Sequence, residues 1–185
     1  MENIVTFLGE EFRPLDPDIN KIHIEDIAHS LSLLCRANGH IDRFFSIAQH
    51  CINCANEAKA RGYTARVQLA CLIHDASEAY ISDITRPIKQ HLTEYKIIVK
   101  RLQDTIYTKF LGAPLGDAEF ALMDNIDNDM LACEFDTLMS KKKVFDTVPK
   151  LVSTPVFDTI EFKEVESTFL KVYYGIMHAG LIQGR

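Results

Sequence analysis

The chain has 185 residues, of which 47% are hydrophobic, and a formal net charge of -6 at pH 7. A chain of this size forms one domain and buries roughly 70% of the surface that its unfolded form exposes. The acidic balance and the absence of a basic stripe argue against duplex nucleic acid as a partner. No apolar stretch of the sequence approaches the roughly 18 residues of a membrane span.

The sequence predicts a series of helices that follow an irregular N-terminal segment. Residues 1–24 include two prolines in a polar stretch, which leaves room for a short strand or hairpin. Apolar residues recur at helical spacing over most of the remaining chain. The predicted helices cover residues 25–37, 42–60, 64–80, 89–110, 117–140 and 162–178.

Caps and helix breakers set these limits. Asp42 and Thr64 are the expected N-caps of the second and third helices. Pro87 is expected to end the third helix in a loop over residues 81–88, and residues 112–116 form a linker. Because strand patterns are weak throughout, we predict an all-α fold with one domain over residues 1–185.

The most informative motif is Ile73-His74-Asp75-Ala76, at the end of the apolar third helix. A histidine beside an aspartate on a core-facing helix is costly to bury unless a partner compensates it, and a divalent metal ion is the usual one. His50 and Asp127 also share faces with apolar residues of their helices, so that both should point inward. Two imidazoles and two carboxylates suit Mn, Co, Fe, Ni or Zn better than Ca or a thiolate-bound metal.

Each member of this set has a simpler interpretation when it is taken alone. A histidine on an apolar face is more often a hydrogen-bonded core residue, and Asp127 alone could be a solvated or capping acid. Cys51-x-x-Cys54 lies on a continuous helix without a second such pair, which favours core packing over a zinc site. Glu134 lies two turns after Asp127 and is either a partner for a histidine or for an arginine, or part of a polar seam.

The candidate residues lie in blocks that can be compared with a known family. These blocks are IEDIAHSLSLLCRANGH (24–40), SIAQHC (46–51), CLIHDASEAYISDITRPIK (71–89) and NIDNDMLACEFDTLM (125–139). With this pattern the chain resembles the HD-domain metal-dependent phosphohydrolase superfamily, and within it the bacterial and phage-borne 5'-deoxynucleotidases. The resemblance covers about residues 24–140 and implies a helical bundle of the HD-domain type.

The resemblance also implies roles for individual residues. Asp75 and Glu78 match catalytic residues, and Glu78 matches the acid that orients or deprotonates the attacking water. The family's metal ligands are matched by His50, His74, Asp75 and Asp127. Substrate-binding positions are matched by Arg36 for the phosphate, Asp83 for the sugar and Lys89 for the phosphate, with Arg86 assisting.

Two positions depart from the pattern of that family. Gln49 stands where a glutamate often precedes the ligand histidine. Ala37 follows Arg36 where the deoxynucleotidases have a tryptophan that packs near the sugar. The second departure leaves the choice between ribose and deoxyribose open.

The expected activity is therefore hydrolysis of (deoxy)nucleoside 5'-monophosphates by hydroxide generated at one divalent metal ion (Mn, Co, Fe, Ni, Zn or Mg), with Glu78 assisting. Triphosphohydrolysis of dNTPs at the same site and a non-catalytic metal- or nucleotide-binding module are the alternatives. A purely structural buried network of histidines and acids is a third. The expected partner is a small nucleotide, and a homodimer is compatible with the resemblance. An odd number of cysteines, five, and an N-terminus without a secretory signal pattern favour a cytoplasmic location.

Overall fold

The structure is a computed structural model that describes the backbone of residues 2–183 and the side chains of residues 2–180. Helices form nearly all of its regular structure, which confirms the predicted all-α fold. The helices are α1 (Ile24–Leu33), α2 (Ile47–Ala60), α3 (Ala65–Ile73), α4 (Glu78–Ile81), α5 (Arg86–Lys89), α6 (Thr93–Leu111), α7 (Asp117–Leu138) and α8 (Phe162–Gln183). The predicted domain limits, 1–185, extend beyond the described residues and stay a prediction.

The N-terminal segment contains the short hairpin that the sequence left room for. Strands β1 (Ile4–Val5) and β2 (Glu11–Phe12) pair antiparallel, with Ile4 opposite Phe12. Phe12 is fully buried and its ring lies 4.4 Å from that of Tyr80 on α4. The hairpin is therefore attached to the same short helix that begins with Glu78.

Several predicted helix boundaries are wrong, among them the end of the first helix, which is Leu33 rather than residue 37. Helix α2 begins after Ser46, whose hydroxyl accepts a hydrogen bond from the backbone N–H of Gln49, while the Gln49 side chain accepts one from the backbone N–H of Ser46. Asp42 instead accepts a hydrogen bond from the backbone of Ser140 at 2.9 Å. Pro87 does not form a loop but lies in the first turn of α5, where a proline is tolerated because it needs no hydrogen-bond acceptor there. The predicted Thr64 cap is present.

The core places α2 and α3 at the centre of the molecule, where they pack against α1, α7 and α8. A cluster of buried side chains joins α2, α3 and α7, among them Cys54, Cys71 and Ile126. Because this cluster holds the three helices together, polar side chains at adjacent positions on them meet at one place. His50, His74 and Asp127 occupy such positions.

A ladder of buried polar residues on α2 holds the irregular segment that precedes α8. Gln49, Asn53 and Glu57 recur every four residues and form one buried stripe on α2. Each of them bonds the backbone about 100 residues further along the chain. The bonds run from Gln49 Nε2 to the carbonyl of Asp158 (2.9 Å), between Asn53 and both backbone groups of Val156 (3.0 and 3.2 Å), and from the backbone N–H groups of Val152 and Ser153 to Glu57 (3.0 and 2.7 Å). Gln49, which departs from the pattern of the family that the sequence resembles, thus has a structural role in this chain.

Within the described residues, no helix combines the length and apolar character that crossing a membrane requires.

Candidate metal centre

The HD motif lies in a tight turn between two helices rather than within one helix. Helix α3 ends at Ile73, the N–H of Ala76 bonds the carbonyl of Ile73 (3.1 Å), and the N–H of Glu78 bonds that of Asp75 (2.9 Å). Gln103 of α6 clamps this turn, because its side chain donates to the carbonyl of Ile73 and accepts from the N–H of Ser77. The expectation that Glu78 continues the His74 helix is therefore wrong, since Glu78 begins the separate helix α4.

Four side chains predicted as metal ligands converge around one point. The Nε2 atoms of His50 and His74 lie 3.1 Å apart, and Asp127 Oδ1 lies 3.0 Å from the first and 3.6 Å from the second. Asp75 Oδ2 lies 3.4 Å from His74 Nε2 and 3.9 Å from His50 Nε2. Two ligand atoms that are each about 2.1 Å from one ion lie about 3.0 Å apart at a right angle and about 3.4 Å apart at the tetrahedral angle. These separations therefore fit donors that share one cation.

Hydrogen bonds fix which nitrogen of each imidazole faces this point. His50 Nδ1 lies 2.6 Å from Glu134 Oε1, and His74 Nδ1 lies 2.8 Å from the carbonyl oxygen of Cys71. Both oxygens only accept, so each Nδ1 carries the proton and each Nε2 presents a lone pair. Two lone pairs that face each other at 3.1 Å repel unless a cation lies between them. The donor set thus fits a divalent metal ion, with the outer hydrogen bonds orienting the rings.

The surrounding charges also favour a positive centre. Burial and the Arg36 guanidinium act to lower the pKa of His50, but anionic neighbours that include Glu134 and Asp127 raise it well above its ordinary value. Burial acts to raise the pKa of Asp127, yet hydrogen bonding to His50 and His74 lowers it well below its ordinary value. Two imidazolium rings cannot meet through Nε2 at this distance, whereas one divalent ion supplies the required charge at a single point.

Cysteine sulfurs lie beside the same histidines. Two further overlapping groups also bring ligand atoms within 4.8 Å of one another: His50 with Cys54 and His74, and Cys51 with His74 and Asp75. His50, Cys54, His74 and Asp75 could therefore hold a metal ion. Cys54 Sγ lies 3.6 Å from His50 Nε2 and 4.0 Å from Nδ1, so it lies beside the ring rather than along the lone pair. Burial raises the pKa of the Cys51 thiol, which keeps it protonated and a poor ligand.

A cavity of about 460 Å³ opens over the cluster. Its lining includes the charged residues that the sequence predicted for substrate and catalysis, together with the two aspartates predicted as metal ligands. These are Arg36, Asp75, Glu78, Asp83, Lys89 and Asp127. Apolar side chains form another part of the lining, among them Ile84, Leu131, Phe135, Met139 and Phe145. The structure thus brings every predicted site residue to the metal cluster or to this cavity.

Glu78 is buried against the inner wall of the cavity. Its Oε1 lies 3.6 Å from Lys89 Nζ, and its Oε2 has no hydrogen-bond partner among the described residues. Burial, and then the nearby Asp75 and Asp83 carboxylates, raise its pKa well above the ordinary value, against the opposing effect of Lys89. Glu78 therefore presents a free carboxylate oxygen beside the metal cluster without being one of the four converging donors.

Arg36 connects the cavity to the histidine cluster. Its guanidinium donates to Asp75 at 3.5 Å and to Glu134 at 3.3 Å, while its Nε lacks a hydrogen-bond partner in the part of the chain that the structure describes. Arg36 begins a short turn in which Ala37 and Asn38 both have a φ of 51°. Arg36 therefore reaches the centre from the connection between α1 and α2.

Backbone strain also positions Asp83. The preceding residue, Ser82, has φ 63° and ψ 166°, a region that glycine alone adopts without strain. The Asp83 carboxylate accepts a hydrogen bond from Lys89 Nζ at 3.3 Å. The strained residue thus turns the chain so that Asp83 and Lys89 face the same cavity.

The sequence left the role of Glu134 open, and it did not predict the contact between Phe135 and Phe145 in the cavity lining. Glu134 is 1% exposed and contacts both His50 and Arg36, so it is a partner of both and not only part of a polar seam. The signal in the sequence was its position two turns after Asp127.

Phe145 comes from the irregular segment that precedes α8, and its ring centroid lies 6.1 Å from that of Phe135 on α7. Nothing in the local sequence around Phe145 marks that contact.

Comparison with known proteins adds the family of the chain. No protein-family model matches it. It is 35% identical over 134 residues to the uncharacterized protein YfdR of Escherichia coli (strain K12), an alignment that covers 72% of this chain and 71% of YfdR. The chain belongs to the YfdR family. A second relative of this YfdR-family chain is the uncharacterized protein RCAP_rcc00048 of Rhodobacter capsulatus, 36% identical over 112 residues that cover 57% of this chain and 56% of that protein. Since neither name states an activity, functional inference for this YfdR-family chain depends on the site itself.

Proposed function

We propose that this YfdR-family chain is a divalent-metal-dependent phosphohydrolase of the HD-domain type that hydrolyses (deoxy)nucleoside 5'-monophosphates. One observation carries the proposal. Two imidazole Nε2 lone pairs face each other at 3.1 Å beside Asp75 and Asp127, and these two aspartates line a cavity that a buried acid and three cationic side chains also line. A structural hydrogen-bonded network would not leave these lone pairs opposed.

The residues that would hold the metal ion are His50, His74, Asp75 and Asp127. When bound, a divalent ion supplies Lewis acidity at the phosphate and makes nearby water more acidic. The free Oε2 of Glu78 can accept the proton of a water molecule that attacks phosphorus. The new bond joins the water oxygen to phosphorus, the bond from phosphorus to the 5'-oxygen breaks, and the proton passes to the leaving alkoxide.

Cationic side chains supply the remaining stabilisation. The Arg36 guanidinium and the Lys89 ammonium line the cavity together with Asp75 and Asp127, so they can pair with the phosphate oxygens as charge moves to the leaving group. Asp83 can accept a hydrogen bond from a sugar hydroxyl, and Phe135 and Phe145 in the cavity lining can stack a base. A silent binding module would have no use for a free Glu78 carboxylate at this position.

Further parts of the proposal follow from the same residues. The five cysteines are free thiols, which supports a cytoplasmic location. The imidazole and carboxylate donors support Mn, Co, Fe, Ni, Zn or Mg as the metal. A small nucleotide as the partner is supported by the dimensions of the cavity, and a homodimer stays a prediction.

The test uses purified protein that is loaded separately with each metal ion and offered a panel of ribo- and deoxyribonucleoside monophosphates. We expect orthophosphate and nucleoside in equal amounts. His74→Ala and Asp75→Ala should lose metal and activity together. His91→Ala, a matched change at an exposed position, should retain both. A metal-loaded protein that releases no phosphate from any member of the panel contradicts the proposal.

A further inference from the structure

The turn that carries the HD motif interrupts what would otherwise be one helix. Helices α3 and α4 are separated only by residues 74–77. The N–H groups of Ala76, Glu78 and Tyr80 each bond the carbonyl three residues earlier, at 2.9 to 3.1 Å. In an α-helix each N–H group bonds the carbonyl four residues earlier. The chain therefore winds more tightly in this turn than it does in α3.

Gln103 of α6 takes the place of one helical hydrogen bond. In a continuous helix the N–H of Ser77 would bond the carbonyl of Ile73. Here the Gln103 amide lies between these two groups, because its Nε2 donates to the Ile73 carbonyl at 2.8 Å and its Oε1 accepts from the Ser77 N–H at 3.0 Å. Among the described residues, no backbone carbonyl accepts from the Ser77 N–H. A side chain inserted in this way is a known cause of a sharp bend in a helix.

The two bonds need a side chain that both donates and accepts. One partner is a carbonyl group and the other is an N–H group, so the orientation of the Gln103 amide is determined. An ionised carboxylate has no donor and an ammonium group has no acceptor. Helix α6 holds the amide in place, since the neighbouring Leu102 and Ile106 are fully buried in the core. The turn is thus attached to a helix that provides none of the four predicted metal ligands.

The insertion determines where Glu78 lies relative to His74. An α-helix turns about 100° per residue, so a residue four positions further on returns to within about 40° of the first. Turns with bonds to the third residue advance about 120° per residue, which leaves the same residue about 120° away. In the structure Glu78 Oε1 lies 3.6 Å from Lys89 Nζ, and the carboxylate is not one of the converging donors. A continuous helix would bring this carboxylate towards His74, where it could bind the metal ion itself.

We propose that Gln103 is a positioning residue of the site. By opening the helix between Ile73 and Ser77, it holds Glu78 where the carboxylate can act on a water molecule instead of binding the metal ion. Gln103 acts through the backbone of the turn. The kinetic consequence of this inference rests on the proposed phosphohydrolase function, whereas its structural consequence does not.

The structural consequence is tested with Gln103→Leu, which keeps the bulk of the side chain but can make neither bond. Crystals of this variant should show the Ser77 N–H bonded to the Ile73 carbonyl and Glu78 rotated towards His74. A structure in which the turn and the Glu78 side chain keep their positions overturns the proposal.

Gln68→Leu is the matched control. Gln68 is also half-buried, and it donates to one backbone carbonyl, that of Tyr63, at 2.7 Å. This change should leave the turn as it is in the parent protein.

The kinetic consequence is measured with dAMP on metal-loaded protein. We expect kcat of Gln103→Leu to fall about 10- to 100-fold, because the acid is displaced from the attacking water. KM should stay within about threefold, since Arg36 and Lys89 lie outside the turn. Gln68→Leu should keep both constants. If Gln103→Leu lowers only the thermal stability and the folded protein retains its kcat, the proposal is overturned.

Gln103→Glu gives a second signature. A protonated carboxylic acid can donate to the Ile73 carbonyl and accept from the Ser77 N–H as the amide does, whereas the ionised form can only accept. The kcat of Gln103→Glu relative to the parent should therefore rise as the pH falls from about 8 to about 5. A ratio that does not rise contradicts the proposal. A parent protein that releases no phosphate counts against the proposed function alone, and the Gln103→Leu structure still decides the positioning role.

Discussion

Glu57 offers a quantitative test of how the irregular segment is held on α2. The side chain is fully buried, and its carboxylate accepts hydrogen bonds from two backbone N–H groups, the Ser153 hydroxyl and the Arg61 guanidinium, at 2.6 to 3.0 Å. Burial acts to raise the pKa of Glu57, but these donors, first of all Ser153, lower it from 4.5 to about 2. That difference corresponds to about 3 kcal/mol of stability, since each tenfold change in proton affinity is worth about 1.4 kcal/mol.

The change to make is Glu57→Gln, which keeps the size of the side chain. It replaces one carboxylate oxygen, a hydrogen-bond acceptor, by an NH₂ group that faces other hydrogen-bond donors. We expect a loss of about 3 kcal/mol at pH 7, which lowers the urea midpoint by about 1.5 M if the denaturant slope is about 2 kcal/mol/M. Because the folded-state pKa is lowered, this contribution is complete above about pH 5 and is lost as the pH falls from 4.5 towards 2.

The assay is urea unfolding followed by circular dichroism at several pH values between 7 and 3. The difference between the parent protein and Glu57→Gln should be constant above pH 5 and should shrink below it. Glu94→Gln, at an exposed position, should show neither effect. A difference below 0.5 kcal/mol at pH 7, roughly what a surface substitution gives, or one that does not change with pH, would refute the reasoning.

Three further predictions concern the site. Glu134→Gln should weaken metal binding by about 10- to 100-fold, because the charged partner of His50 Nδ1 is lost; an unchanged affinity in a chelator competition would rule out this role. Glu78→Gln should keep the metal content of the parent but lose at least about 100-fold in turnover, and loss of the metal would show that the role of Glu78 is misassigned. Ser82→Gly should raise the free energy of unfolding by about 1 kcal/mol through release of backbone strain, whereas a lower melting temperature would contradict the strain.

The helical fold and the inward positions of His50 and Asp127 could be predicted because both follow from periodicity. Apolar residues at helical spacing define the inner faces of α2, α3 and α7, and a polar residue on such a face must point toward its neighbours. His50 and Asp127 were found in this way. Thr64 was found as a cap because its hydroxyl accepts from the N–H three residues later, a purely local bond.

The failures come from choices that local sequence leaves open. Asp42 and Ser46 are both good N-caps, but only Ser46 has a glutamine three residues later to complete a capping box. Pro87 both ends a helix and suits the first turn of one, and the structure shows the second. The HD motif was placed inside a helix because the apolar run reaches it, whereas the clamp from Gln103 on α6 closes a turn there.

Contacts between residues far apart in the sequence were beyond prediction from one chain. Gln49, Asn53 and Glu57 bind backbone groups about 100 residues away, and only their four-residue spacing on a buried face hinted at a common partner.

The most direct measurement is the metal content and the ligand geometry of the protein itself. Protein stripped with a chelator and then titrated with Mn²⁺, Co²⁺ or Zn²⁺ should bind one ion per chain. Crystals should show that ion at about 2.0 to 2.2 Å from the Nε2 atoms of His50 and His74 and from oxygens of Asp75 and Asp127. A chain that binds no ion under these conditions, with a proton between the two imidazoles in place of a metal, would contradict the central claim.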